Sequence, residues 1–352
     1  LHTLSEIDIC KRLRETIASM ANITPGFRTA TATLRDIARA AGVSTASASR
    51  ALSGAGGVSA EFQARIVAAA TRLGYRPNLA ARALVSRRCG LVGVVAQTLA
   101  DPLFAGIVAA LERRLRGAGL GTLLAVGMDS PDPSEGIRTL LGRGAEAFVF
   151  IGAEPPTTEA NVLDRAALPW VCVSDVAGAA PLVIDAGRRR GGALATQYLL
   201  ALGHRRFAVI TSRSGTRQGV ATALAESGAA LIAAGEAGTE SAGTRSAIRA
   251  VLDRDLPPTA VVCDSDVAAL AALRECSLRG LAVPGAISIV GFGDWEFARH
   301  ATPALTTLRV SGATLGTQAG GAVIAALRGE PIQPFEAPVK LVVRESTGAP
   351  PG

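Results

Sequence analysis

The sequence predicts a small all-α headpiece built on a helix-turn-helix, followed by a larger α/β domain of two Rossmann-like lobes. Three observations carry this. Residues 33–53, TLRDIARAAGVSTASASRALS, show a helical apolar period interrupted by one glycine. From Gly90 onward, continuous apolar runs alternate with amphipathic stretches in two successive sets of similar size. Positive charge is also concentrated: between Arg28 and Gly90 ten Arg stand against Asp36 and Glu61, an excess of +8 in a chain whose net charge is +7. A basic module on a near-neutral body is the footprint of a phosphate-binding surface.

Composition narrows the classes further. A chain of 352 residues that is 49% hydrophobic and 18% charged can bury two cores. No 18-residue apolar run lacks charges or helix breakers, so no membrane span is expected. Glu6, Asp8, Lys11, Arg12, Arg14 and Glu15 leave no apolar stretch for a signal peptide. The five cysteines (Cys10, Cys89, Cys172, Cys263, Cys276) form no CxxC, which suits free thiols in a reducing cytoplasm and neither a disulfide frame nor a zinc site. Three histidines (His2, His204, His300) offer neither a metal spacing nor a Ser/His/Asp set, so no cofactor, metal or catalytic residue is expected.

In chain order, residues 1–30 match no pattern and are assigned no function; the chain opens on Leu1, and Met20 is expected nearer the natural start. Leu34, Ile37, Ala38 and Ala41 recur at i, i+3, i+4, i+7 on one helix face. Gly42 ends that helix, Val43 fills the turn, and Ser44 caps a second helix running from Thr45 to about Leu52. Two short helices joined by such a turn form a helix-turn-helix, whose second helix enters the DNA major groove N-terminus first. Thr45, Ala46 and Ser47 are small, while Arg50, one turn on, has the two-pronged donor that reads guanine. A generic helical hairpin is the alternative for this stretch alone. Ser59 caps a third helix with Phe62, Ile66, Ala69, Ala70 and Leu73 expected on its core face, ended by Gly74. Residues 78–86, NLAARALVS, form either a short hinge helix capped by Asn78 or a plain interdomain linker.

On the motifs TLRDIARAAGVS, SRALS, VSAEFQARIVAAATRLGYRPN and NLAARAL, residues 33–88 resemble the DNA-binding headpiece of the lactose-repressor (LacI) family, and the likeness runs over roughly nine-tenths of the chain in register. The resemblance implies a headpiece over 31–77 and a hinge over 78–89. It implies DNA contacts at Leu34, Ser44, Thr45, Ala46, Ser49, Arg50, Ser59, Tyr75, Asn78 and Leu84. Ser59 and Tyr75 would approach phosphates, although Tyr75 reads equally as a packing residue. Leu84 would be the apolar wedge that unstacks a minor-groove step.

From Gly90 the expected strands are LVGVVA, TLLAVG, AFVFIG and WVCVS, with helices at 102–117, 134–142 and 158–166. A second set begins near Leu182, with helices 188–202, 216–228, 240–253 and 265–279 and strands RRFAVIT, TAVVC and ISIVGFG. By resemblance, residues 90–348 form a periplasmic-binding-protein-like effector and dimerisation domain, the chain crossing back between lobes near 305–330. Ligands in such sheets bind at the carboxyl ends of strands. The loops there are Thr98–Phe104, Val173–Asp175, Thr211–Arg217, Asp264–Asp266 and Gly293–Trp295. Carried over, Asp101, Phe104, Asp266 and Asp294 would face an effector; Asp266 reads equally as a helix N-cap, and Asp264 as a solvated neighbour. The family's effector-binding Arg precedes a Gly-aromatic pair, but here the loop SRSGTRQGV is shortened and Val220 replaces the aromatic residue. Arg213 and Arg217 are both candidates for its role. The segment GFGDWEFARHATPALTTLRV is nearer the gluconate-repressor branch, which favours a sugar acid.

The expected function is therefore a cytoplasmic homodimeric repressor that binds double-stranded operator DNA under control of a small carbohydrate-type effector. No tetramerising heptad repeat precedes Gly352. The alternatives are a solute-binding protein and a nucleotide-dependent Rossmann enzyme, but the first strand is followed by QTLADP rather than GxGxxG.

Overall fold

The computed structural model describes residues 32–53, 57–75, 89–127, 132, 134–152, 154–174, 182–225, 227–236 and 241–351. The chain divides into two units, residues 1–87 and 88–352.

In the first unit, α1 (Leu34–Ala41) opens on a capping box in which Thr33 and Asp36 satisfy each other's backbone N–H. It closes on Gly42 at φ 67°, a left-handed position that a side chain disfavours. Helix α2 (Thr45–Ser53) starts at Ser44, whose Oγ accepts the Ser47 N–H at 3.0 Å. Helix α3 (Ala60–Arg72) starts at Ser59, whose Oγ accepts the Phe62 N–H at 3.5 Å. Ile37 and Ile66 are fully buried among Ala38, Ala41, Ala48, Ala51, Ala69 and Ala70. Phe62 and Leu73, expected in this core, are instead 40% and 39% exposed. The space around Ile37 and Ile66 is taken by alanines of all three helices and by partly buried Leu34, Val43, Leu52, Val58 and Tyr75. Arg65 lies over the Phe62 ring at 5.2 Å and donates to the Ala41 carbonyl at 2.8 Å, so the pair closes the end of α1 from outside.

The second unit contains two six-stranded sheets. The first lobe holds β1 (Leu91–Ala96), α4 (Pro102–Gly117), β2 (Gly121–Val126), α5 (Ser134–Gly142), β3 (Ala145–Ile151), α6 (Thr157–Arg165), β4 (Trp170–Ser174) and β5 (Val183–Asp185). The second holds α7 (Arg188–Ala201), β6 (Arg206–Ile210), α8 (Ser214–Leu224), β7 (Ala230–Gly235), α9 (Ser241–Leu252), β8 (Ala260–Cys263), α10 (Asp266–Leu278), β9 (Ser288–Phe292), α11 (Glu296–His300) and β10 (Thr306–Arg309). The chain then returns to the first lobe with α12 (Gly312–Arg328) and β11 (Phe335–Glu336), and ends in the second with β12 (Lys340–Val342). Strand orders are β11-β5-β4-β3-β1-β2 and β12-β10-β9-β8-β6-β7, parallel throughout except for the β10–β12 pair. The crossing expected near 305–330 falls after β10, and a further one follows β11.

Three expectations are corrected. Residues 183–185 pair with β4 in the first sheet, so the second lobe starts only at Arg188. Helix α8 spans 214–224 rather than 216–228. Strand β7 was not expected, because ALIAAG is alanine-rich and lies at a sheet edge, half-exposed. Within the first lobe α12 packs on α4 through its glycine face: a Cβ at Gly316 would collide with the Ile107 carbonyl.

Candidate nucleic-acid interface and interlobe cleft

In the headpiece, Thr45, Ala46, Ser49 and Arg50 are all exposed on α2, while Ala48 and Ala51 turn inward. The exposed side of the second helix thus carries small side chains at its N-terminal end and one guanidinium a turn later, the size gradation that lets a helix approach base edges closely. Ser44 is exposed, with its hydroxyl engaged at the cap and with Ser47 Oγ at 2.9 Å. Ser59 likewise caps α3 at the surface. Leu34 and Tyr75 are partly buried against the headpiece core, so the packing reading of Tyr75 is the one its position favours. Asn78 and Leu84 lie outside the described residues.

In the second unit, a cavity of about 360 Å³ lies between the lobes at the carboxyl ends of β1, β6 and β8. Gln97, Thr98, Ala100 and Asp101 line it from the first lobe; Arg188, Ser212, Arg213, Thr244, Asp264 and Ser265 contribute from the second. Asp101 caps α4, accepting the Leu103 N–H at 2.9 Å. Asp264 is buried, and its Oδ2 accepts the Thr211 hydroxyl at 2.8 Å and the Ser212 N–H at 2.9 Å. That carboxylate fixes the three-residue turn between β6 and α8. Its backbone carbonyl accepts Nη1 of Arg188 at 2.7 Å. Arg188 is only 2% exposed and stacks on the Phe292 ring at 4.7 Å. Among the described residues no carboxylate forms an ion pair with it. Arg213 crosses the cleft, donating to the Gly152 carbonyl at 2.6 Å and covering the Phe104 ring at 5.0 Å.

Residues 33–78 match the family described as bacterial regulatory proteins, lacI family, and residues 196–347 match the periplasmic binding protein-like domain. The transcriptional regulator GalR of Escherichia coli (strain K12) is 31% identical over 313 residues, covering 86% of this chain and 91% of GalR. The chain belongs to the lacI family. Among solved structures, the lac repressor dimer bound to operator and the anti-inducer ONPF matches at a TM-score of 0.81 and 26% identity, over 91% of this chain and 100% of that one. The CelR–cellobiose complex matches at a TM-score of 0.66 and 28% identity, over 90% of this chain and 99% of that one. The protein is a DNA-binding transcriptional regulator of this family, and the relatives it matches are regulators rather than enzymes.

This lacI-family cleft draws only part of its wall from the residues expected there. Asp101 and Arg213 line it. Phe104 is 3% exposed and sits under Arg213 rather than on the wall. Arg217 is exposed on α8 and not among the lining residues, because the shortened loop starts that helix at Ser214 and carries position 217 up its first turn. Asp266 is fully buried with both oxygens engaged, Oδ1 by the Thr307 hydroxyl and Oδ2 by the Trp295 N–H at 2.9 Å. Burial pushes its pKa up against those two bonds. Neither proposed role holds for it as read, since Ser265 is the N-cap of α10. Asp294, with its side chain 3% exposed, is ion-paired to Arg309 and Arg344. Burial alone would raise its pKa, but the bonds from Arg344 and Arg309 hold it below the usual value. It ties the end of β9 to β10 and the C-terminal segment. Asp264, read as a solvated neighbour, is buried in the wall.

Arg188 and Thr244 were missed. For Arg188 a signal existed: three arginines open α7 directly after Gly187, at the positive end of a helix dipole where a cation is disfavoured.

Proposed function

We propose that this protein is an operator-binding repressor, acting as a homodimer in the cytoplasm, whose DNA affinity is set by a small carbohydrate-type effector held between the two lobes of its second unit. The observation that carries the effector reading is the cleft itself. It lies at strand carboxyl ends, is of small-molecule size, and joins polar side chains from both lobes. Thr98, Ser212 and Thr244 suit ligand hydroxyls, and Arg188 suits a carboxylate, which supports a sugar acid of the gluconate kind. In this reading the headpiece presents Thr45, Ala46, Ser49 and Arg50 to base edges. Ser44, Ser59 and the backbone at Leu34 hold the phosphates, and the segment with Asn78 and Leu84 forms the hinge. Two headpieces are required because one reads only a half-site. The test is a gel shift on a pseudo-palindromic site with and without candidate sugars and sugar acids. Operator affinity that no such ligand changes overturns the effector reading and leaves the regulator class untouched.

A further inference from the structure

Arg188 stands where the chain first passes from the first lobe into the second, between β5 and α7. Gly187 before it adopts φ 74°, with its N–H donated to Asp185 Oδ1 at 2.7 Å. A Cβ at Gly187 would strike the Val339 side chain and the Ala337 carbonyl, so the entry to α7 is wedged against the later crossing at 337–339. The Phe292 ring on which the guanidinium stacks is equally fixed, since a Cβ at Gly191 would collide with it. Arg188 is accordingly 2% exposed, while Arg189 and Arg190 beside it are exposed. Its hydrogen bond runs from Nη1 to the Asp264 carbonyl, and the side chain lines the interlobe cavity.

The fold gains little from a charge in this place. A buried cation with no paired carboxylate has lost its hydration without replacement, and a cation in the first turn of a helix opposes the helix dipole. The carboxylates that share the cavity are engaged elsewhere: Asp101 caps α4, and Asp264 Oδ2 binds Thr211 and Ser212. A residue that served packing alone could be an apolar chain lying on Phe292.

We propose that Arg188 makes this cleft a site completed by an anion: the guanidinium is held buried at a cost to the empty protein, and it selects a ligand carboxylate that supplies the missing counter-charge. The proposal rests on the reading of the cleft as the effector site; it adds which residue sets the charge class and what the empty state gives up. Because the cation is fixed before the ligand arrives, a carboxylate gains charge-assisted hydrogen bonds without the ordering of a long side chain. A neutral polyol of the same length leaves the charge uncompensated.

The experiment is thermal melting of the second unit in the full chain, for wild type, Arg188→Met and Arg188→Lys. Each is melted alone and with gluconate or glucuronate, and with sorbitol or glucose as the neutral match in carbon skeleton. Without ligand, Arg188→Met should melt at or above wild type, because the unpaired charge is gone and an unbranched chain still covers Phe292. Arg188→Lys keeps a charge but not the flat group stacked on the ring, and should melt below Arg188→Met. With the better acid at about a hundred times its Kd, wild type should rise by about 5 °C, and by less with the neutral match at the same concentration. Arg188→Met should not distinguish acid from neutral match. An Arg188→Met protein that melts clearly below wild type without ligand identifies a structural strut and overturns the proposal. So does one that keeps the wild-type preference for the acid, or a wild type that neither acid stabilises. Gel shifts on the same proteins separate this from the broader reading. Operator affinity that another sugar changes, but these acids do not, keeps the effector site and rejects the role of Arg188. Affinity that no sugar or sugar acid changes rejects the effector reading itself.

Discussion

Ile66→Ala should separate the two functions of the chain. Among the described residues, two large side chains are fully buried in the headpiece core, Ile37 and Ile66, and its other buried residues are alanines. A domain of some 45 residues at roughly 0.05–0.15 kcal/mol per residue is held by about 2–7 kcal/mol. Truncating a buried Ile to Ala costs about 2–5 kcal/mol, since neighbouring side chains relax only partly into the cavity left behind. The loss is therefore of the same size as the whole stability of the unit. A headpiece pushed about 1 kcal/mol past balance is folded roughly one time in six, and its apparent operator affinity falls by that fraction. Ile66→Val removes one methyl group and costs about 0.5–1.5 kcal/mol, leaving the unit mostly folded.

Thermal melts by far-UV circular dichroism, paired with gel shifts, read this directly. The helical transition belonging to the headpiece should move down or vanish in Ile66→Ala, with Ile66→Val between. The transition of residues 88–352 should stay in place, because Ile66 belongs to a separate core. An Ile66→Ala protein with wild-type operator affinity and an unshifted headpiece transition refutes the reasoning.

Further outcomes are expected from the same geometry. Arg50→Ala should cost about 1–3 kcal/mol of operator binding and relax discrimination at one base pair, and Arg50→Lys should restore only part of it; binding measured on operators mutated one position at a time checks this. Arg188→Met keeps the apolar packing on Phe292 but removes the buried cation, so calorimetry should show acid binding weakened by about 2–5 kcal/mol, whereas Arg217→Ala should leave it unchanged. His204 is fully buried, with its ring nitrogens on Thr259, Ser288 and the Gly348 carbonyl, and burial lowers its pKa from 6.5. The unfolded chain then binds the proton first, so this contribution is complete above about pH 6.5 and is lost as pH falls toward the folded-state pKa. Melting of the second unit should drop on acidification through that window, and His204→Gln should flatten the drop.

Much of the fold was legible because it follows local rules. The caps Ser44 and Ser59, the terminator Gly42, and the apolar runs of β1, β3, β4, β8 and β9 need only neighbours in sequence. What failed depended on partners far along the chain. Strand β7 carries no β-branched signal beyond Ile232 and exists because β6 pairs with it. Residues 183–185 read as the start of a second set, and only pairing with β4 puts them in the first sheet. Phe62 sits at a helical core position by period, yet the space around Ile37 and Ile66 is taken by other side chains. The chain's return to the first lobe through α12 came from resemblance and not from any pattern in the residues.

The carboxylates show the same limit in chemical form. A sequence shows that Asp264, Asp266 and Asp294 stand at strand ends, which makes Asp266 and Asp294 candidates to face a sugar and Asp264 a solvated neighbour. It does not show what already occupies their oxygens. Thr307 and Trp295 bind Asp266, Arg309 and Arg344 neutralise Asp294, and the β6–α8 turn is bound by Asp264. A carboxylate whose acceptor sites are filled by buried internal donors would have to give up those bonds before accepting from a ligand, at about 1–3 kcal/mol for each donor left unpaired. Arg188 differs: it is bonded to the Asp264 carbonyl and stacked on the Phe292 ring, both weaker partners for a cation than a carboxylate. In the reading proposed above, a ligand acid would therefore recruit Arg188 more readily than ligand hydroxyls would recruit Asp264, Asp266 or Asp294.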